Sequence, residues 1–369
     1  MKRILFISPL NISPDVINSD GVMKKIYLQI KTLESLGNSV DYVFWERNNI
    51  KFKTEKVIDL FPSTGYVYRD MLKIYSWMAD HLIEQCYDVF YIRHIGSSLA
   101  MTKFLTYYKK KYSRIEIIAE IPTVMGKWEP GTSFVGKVKF LINKTLNYLL
   151  SFPIDRFVTF SDDSHIYWRP AICIENFVDV DSLPVRKPKL TDKFILIGIA
   201  MMTPSHGFDR VIKGLYEYYK NNPGLIVEFK IIGDGSSKRS LEELTRKLKL
   251  DKYVKFEGRK STDQISSYIN EANIAVASLA IFRKKCLKAS ELKIREYCAR
   301  GIPFIYSAEE PILNDVKSCY KQPHDETPID IQSVVNFSNN LNVNDALVEL
   351  RKVAESKCTC ESQLKQIFR

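Results

Sequence analysis

Two consecutive doubly wound α/β domains are predicted for this chain, and three observations predict them. Its 369 residues exceed the size at which one core keeps growing, so two domains of roughly 150–200 residues are expected. Short apolar runs alternate with amphipathic stretches from the N-terminus onward, the order of an α/β protein with a mainly parallel sheet. That rhythm breaks once, in a stretch rich in proline and charge, and then restarts.

The first half offers strand-like runs at Arg3–Ser8, Val40–Trp45, Val89–Ile92, Ile115–Glu120 and Arg156–Phe160, with helix-like stretches such as Met23–Leu36 and Ile74–Cys86 between them. Residues 182–192 read as a linker between domains at 1–181 and 193–345. The second half repeats the order: strand Phe194–Ala200, helix Asp209–Lys220, strand Ile226–Ile232, helix Ser240–Lys249, strand Val254–Phe256, helix Asp263–Glu271, strand Ile274–Ser278, helix Glu291–Arg300 and strand Pro303–Tyr306. Ser240 and Glu243 read as a capping box for the second of these helices. Residues 346–369 are helical in composition and form a closing tail that can pack back on the first domain.

Hydrophobic residues at 45% and charged residues at 26% exclude disorder, collagen-like structure and a membrane bundle. The apolar opening at Met1–Pro9 reads as a buried strand rather than a signal peptide, because Pro9 interrupts it and no small-residue cleavage site follows. Leu146–Val158 is broken by Asn147, Pro153 and Asp155, short of the roughly 20 apolar residues that span a bilayer. Seven cysteines without paired CxxC spacing fit a reducing cytoplasm and no metal site. The net charge of +11 calls for an anionic partner. Its cations fall in short clusters, Lys109–Lys111, Lys137 with Lys139 and Lys144, Arg186–Lys189 and Arg283–Lys285, without a nucleic-acid module. An anionic membrane surface is therefore expected over nucleic acid, beside the plain reading of solvated faces.

Doubly wound sheets bind ligands outside the carboxyl ends of their strands, and three turns and one helix of the second half lie there. Met201–Gly207 delivers Gly207 to a helix start, either a phosphate site built from free N–H groups or a plain strand-to-helix turn. Gly233-Asp234-Gly235 reads as a close approach of backbone to a nucleotide or as a tight turn. Gly258 and Arg259 form a further turn. The helix from Leu292, ended by Gly301 with Pro303 beyond, sets Lys293 and Glu296 near one face. A carboxylate there can accept hydrogen bonds from both hydroxyls of a ribose, and a cation can balance a diphosphate. Asp179 and Asp181 form an Asp-x-Asp, read as structural rather than Mg²⁺-binding.

Ser290–Pro303 resembles the donor-site helix of the family 4 retaining glycosyltransferases, above all those that build bacterial capsular, exopolysaccharide and lipopolysaccharide chains. His206–Leu215, Ile232–Ser236, Tyr91–Ile95, Glu120–Thr123, Asp155–Asp162 and Glu175–Asp179 resemble further motifs of that group, so the likeness spans roughly residues 1–310. It implies a GT-B fold, two Rossmann-like domains facing an interdomain cleft, with an acceptor-binding N-terminal and a donor-binding C-terminal half. It implies metal-free transfer of a sugar, without cofactor, from a nucleotide-diphosphate sugar to a lipid-linked or glycan acceptor. By the resemblance Glu296 holds the ribose, Gly207 and its neighbours face the diphosphate, Gly258 and Arg259 contact the nucleotide base or else form only a solvated turn, and Gly21 lies close to the sugar. Lys293 stabilises the leaving phosphate, Leu292 lies beside it, and His94 contacts donor or acceptor.

The sequence also departs from the family. Lys288 stands where a glutamate used near the donor sugar is common, eight residues before Glu296, and Glu291, which stands where proline is frequent, either takes over that role or caps the helix. Met201 and His206 replace an arginine and a lysine that neutralise diphosphate; Arg259, Lys284, Lys285, Lys293 or Arg295 are the available substitutes. Two rival readings stay open: a weakened GT-B subunit that binds nucleotide or glycan for a partner enzyme, and a GT-B nucleotide-sugar epimerase.

Overall fold

The computed structural model describes residues 1–17, 21–94, 96–121, 141, 144–160, 163–221, 223–284, 288 and 290–368. The chain forms two compact units, Met1–Glu175 with Cys360–Arg369, and Asn176–Thr359. Of the residues named above, Ile95, Pro122, Thr123, Lys137, Lys139, Asp162 and Lys285 lie outside the described set.

The first unit is built on a nine-stranded sheet in the order β4-β3-β2-β1-β5-β6-β7-β9-β8. β1 (Arg3–Asn11) lies parallel between β2 (Ser39–Glu46) and β5 (Val89–Arg93), and β6 (Glu116–Ile121) and β7 (Arg156–Thr159) continue the parallel run. β3 (Asn49–Lys53) and β4 (Val57–Pro62) extend one edge as an antiparallel meander; β8 (His165–Ile166) and β9 (Arg169–Cys173) close the other. β1 and β5 are buried along nearly their whole length, as strands covered on both faces must be. After the short turn α1 (Pro14–Ile17), helix α2 (Gly21–Ser35) buries Lys25, Ile26, Gln29, Ile30 and Leu33 on one face. α3 (Val67–His81) and α4 (Leu99–Lys111) pack Met71, Ile74, Met78, Phe104 and Leu105 into the core with Phe90 and Ile117.

The second unit carries a six-stranded sheet, β12-β11-β10-β13-β14-β15, parallel throughout. Its strands are β10 (Phe194–Ile199), β11 (Val227–Ile232), β12 (Val254–Gly258), β13 (Ile274–Val276), β14 (Phe304–Tyr306) and β15 (Cys319–Lys321). The helices are α5 (Phe208–Lys220), α6 (Lys238–Lys247), α7 (Thr262–Glu271), α8 (Leu292–Arg300), α9 (Ile331–Asn339) and α10 (Val343–Lys357). Chain order reverses between β10 and β13, the position at which such sheets open a binding crevice at their carboxyl ends.

Three expectations need correction. Residues 182–192 are a pinned part of the second unit, not a linker: Arg186 N–H donates to the Arg300 carbonyl at 2.9 Å and Lys189 N–H to Asn270 O at 2.8 Å. The tail divides: α10 belongs to the second unit, while α11 (Cys360–Ile367) completes the first. Ser240 and Glu243 form no capping box. The helix has already begun at Lys238, because Ser237 N–H is held by the Met202 carbonyl at 3.1 Å, and Ser240 Oγ turns back to Ser237 O. The capping boxes of the described residues are Thr203 with His206 and Ser261 with Gln264.

Candidate donor site

The loop after β10 runs through exposed Met201 and buried Met202 into a single 3₁₀ turn, Pro204–His206. His206 caps this turn: its Nδ1 accepts from the Thr203 backbone N–H at 3.1 Å, with Thr203 Oγ1 at 3.0 Å. A nitrogen that accepts from an amide carries no proton, so neutral His206 bears its hydrogen on Nε2. Burial, helped by the charges of Lys293 and Lys284, pushes the imidazole pKa down to about 3. His206 is thus a neutral hydrogen-bond donor where the resemblance implies a cation.

Gly207 follows in the left-handed region at φ 65° and caps α5 without a side chain. A Cβ there would lie 3.0 Å from both Cβ and N of Ala280, so backbone conformation and close approach both favour a glycine. The same close approach is fixed by Leu279 N–H on His206 O (3.0 Å) and Ala280 N–H on Ser205 O (3.2 Å). Fully buried Arg210 adds further staples, donating to the carbonyls of Leu279, Pro323 and Thr327. Asp209 takes a two-pronged bond from Arg283 at 2.9 Å. The Asp-Arg pair of this motif therefore holds the loop in place.

α8 starts beside this turn. Glu291 occupies its N-cap but does not cap it. Its Oε2 instead accepts from Ser278 N–H at 3.2 Å and from Ser278 Oγ, while Oε1 is buried with no hydrogen-bond partner. Lys293 Nζ is likewise shut off from water without a partner, 5.8 Å from the centroid of the Phe208 ring at the start of α5. Burial pushes its pKa down to about 8 against the pull of Glu291 and Glu296, with Lys284 lowering it further. Leu292 packs on the core below. The structure thus brings His206, Lys284, Glu291, Lys293 and Glu296 into one electrostatic cluster, beside two helix N-termini that have no side-chain cap. Uncapped N–H groups, a positive dipole end and an ammonium awaiting a partner form an anion site.

Arg295 is removed from the candidate cations. It is fully buried and forks onto Glu310 at 2.7 and 2.8 Å, with Nε on the Asn176 carbonyl. Gly233 and Gly235 press against protein: Cβ atoms there would stand 1.9 Å from Ala200 O and 2.3 Å from Met202 O. They let the loops after β10 and β11 touch, and Met202 N–H reaches Asp234 O at 2.7 Å. Gly258 ends β12 at φ 69° with open space around it, and Arg259 beside it is exposed. Asp179 turns its Oδ1 to Ser182 N–H, and Asp181 points into solvent.

In the first unit, Gly21 opens α2 in open space. His94 follows β5, buried, with Nε2 2.9 Å from Ser97 Oγ, and burial pushes its pKa down to about 4. Sequence reasoning missed the network beneath it. Glu120, wholly buried at the end of β6, accepts from Gln29 at 2.6 Å and the Tyr91 hydroxyl at 2.7 Å and pairs with Arg93. Burial alone would raise its pKa, but Lys25 and Arg93, with those hydrogen bonds, hold it below the usual carboxylate range. The signal was present: Tyr91, Arg93 and Glu120 stand in the two strand ends that resembled family motifs, with charges inside otherwise apolar runs.

Residues 179–321 match the family model described as glycosyl transferases group 1. No curated protein sequence matches the chain. Among solved structures, sucrose-phosphate synthase from Thermosynechococcus elongatus superposes with a TM-score of 0.69 at 12% identity, covering 100% of this chain and 98% of that one. A glycosyltransferase from Rickettsia africae gives 0.64 at 13%, covering 100% and 97%. HepE of Anabaena in complex with UDP-glucose gives 0.59 at 12%, covering 100% and 98%. With its two parallel-cored, helix-flanked sheets, the chain has the GT-B fold.

Proposed function

We propose that the chain is a glycosyltransferase that moves a sugar from a nucleotide-diphosphate donor to a lipid-linked or growing surface polysaccharide acceptor, with retention at the anomeric carbon. The observation that carries this reading is the buried, unpartnered ammonium of Lys293 beside two uncapped helix starts. A buried ammonium without a hydrogen bond is costly even with Glu291 and Glu296 near it, and a diphosphate would supply the missing acceptors. In this reading Lys293, the N–H groups at Phe208 and the Nε2–H of His206 hold the diphosphate, Glu296 the ribose hydroxyls, and Glu291 Oε1 a hydroxyl of the sugar. The bond from anomeric carbon to phosphate oxygen breaks, and the acceptor oxygen bonds that carbon on the same face. The acceptor proton passes to the leaving phosphate, whose charge the cluster stabilises. In the first unit His94 is assigned by resemblance to a contact with donor or acceptor, and Gly21 to one with the sugar. Metal independence, and attachment to the cytoplasmic face of the membrane, belong to the same proposal. Among the described residues no helix is long and apolar enough to cross a membrane.

Incubating the protein with UDP-, GDP- and dTDP-sugars and lipid-linked acceptors, with products read by mass spectrometry, tests the reading. UDP-sugars come first because HepE is solved with UDP-glucose. A second reading, a subunit that binds nucleotide for a partner enzyme, is favoured by exposed Met201 and neutral His206. Tight nucleotide binding without turnover across the panel would select it. Glu296→Ala should weaken nucleotide binding in calorimetry; unchanged affinity in the folded variant would remove Glu296 from the site.

A further inference from the structure

The first unit carries a helical face whose polarity is turned inside out. Residues 144–150 are helical. From there to Phe152 the chain buries Asn147, 6% exposed, and Ser151, yet leaves Leu149 53% and Phe152 45% exposed, with Leu146 and Tyr148 beside them. A surface helix in water does the reverse. The inward side is locked by polar bonds. Ser97 N–H donates to Asn147 Oδ1 at 2.6 Å, Thr102 Oγ1 to the Leu150 carbonyl at 2.7 Å, and Lys109 Nζ to Pro153 O at 3.5 Å. These bonds lay the segment along α4, whose own exposed stripe is Leu99, Lys103, Tyr107 and Lys110. Trp168 extends the face, its ring 4.4 Å from that of Tyr148.

Charge selects the occupant. Residues 99–111 and 144–153 contain five lysines and no aspartate or glutamate. Lys109 and Lys111 are taken by Asp155 and Glu84, which leaves Lys103, Lys110 and Lys144 without an ion pair among the described residues. Lysine is depleted in protein–protein interfaces. Lysines beside exposed leucine, phenylalanine and tryptophan, with no acid in either segment, fit a bilayer interface instead.

We propose that this face docks on an anionic phospholipid bilayer. Leu146, Leu149 and Phe152 enter below the headgroups, Tyr148 and Trp168 lie level with them, and Lys103, Lys110 and Lys144 meet the lipid phosphates. The inference deepens the membrane-attached part of the proposed function by naming the surface that attaches. The full chain should sediment with vesicles of two parts phosphatidylcholine to one part phosphatidylglycerol, not with phosphatidylcholine alone, and less as salt rises. The double variants Leu149→Ser with Phe152→Ser, and Lys103→Glu with Lys110→Glu, should each lose about tenfold in partitioning, with unchanged circular dichroism and unchanged nucleotide binding. Absence of wild-type binding, or sedimentation of either variant equal to that of the wild type, overturns the proposal. Self-association in ultracentrifugation that the Leu149→Ser, Phe152→Ser variant abolishes overturns it too, in favour of an interface between copies. Failure of the transferase reading would appear in the donor screen and leave vesicle binding intact, so the two can fail separately.

Discussion

Lys293 couples stability and binding in opposite directions. A buried amine without a hydrogen bond costs folding free energy, so Lys293→Met should stabilise the ligand-free protein by about 1–3 kcal/mol in urea denaturation. The same change should weaken nucleotide-diphosphate binding about tenfold or more, the loss expected for a charge-assisted hydrogen bond. The pH dependence has a definite sign. Lys293 titrates at about 8 in the folded chain against an ordinary 10.5, so between those values the unfolded chain holds more protons and stability rises with pH. Below about pH 8 both states are charged and the penalty is complete. The wild type should therefore gain on Lys293→Met as pH climbs through this window; a constant gap between them would refute the assignment. Glu120 behaves oppositely, since its network wants the charge. Glu120→Gln leaves Arg93 and Lys25 buried without their carboxylate and should cost about 3–5 kcal/mol by chemical denaturation.

At the scale of elements, the site depends on two loops that touch backbone to backbone. Gly233→Ala would bring a methyl to within 1.9 Å of Ala200 O at φ 123°. It should cost more than about 3 kcal/mol, or push the loops apart and lower nucleotide affinity; a thermal melt and a calorimetric titration together separate those outcomes. The central parallel strands of both units, and the helices from α5 to α8, were legible because their apolar periods are strong: β10 is expected at Phe194–Ala200 and found at Phe194–Ile199. β3 and β4 were not, because Thr54, Glu55 and Lys56 join them without the glycine or asparagine that marks a hairpin. At the site, spacing alone placed Lys293 near Glu296, and the structure adds Glu291 and His206 to them. Arg295 shows the limit of that reasoning. Its partner Glu310 is distant in sequence and reaches it only once β14 has followed α8, so nothing local distinguishes a ligand-facing arginine from a buried one.

For the whole molecule, the first unit is assembled from both ends of the chain. α11 joins it through buried Leu364 and Ile367, through Arg156 donating to the Ile367 carbonyl at 2.6 Å, and through Gln363 Oε1 accepting from Glu175 N–H at 2.9 Å. This arrangement explains why a linker read from composition fell short: the crossings at 175/176 and 359/360 carry no proline or glycine, while the proline-rich stretch at 182–192 is hydrogen-bonded into the second unit. The division has a measurable consequence. Removing residues 360–369 strips three buried apolar side chains from the first unit, Cys360, Leu364 and Ile367, the latter two each worth about 1.5–3 kcal/mol, and takes away the acceptors of the Arg156 Nη2 and Glu175 N–H bonds. Hydrogen exchange read by mass spectrometry should then rise in α2, β6 and β7, with protection of β10, β13 and α8 retained and nucleotide affinity of the second unit preserved. Exchange rising equally in both units would mean that the two share one cooperative transition, and the division at 175/176 would not describe how the chain unfolds.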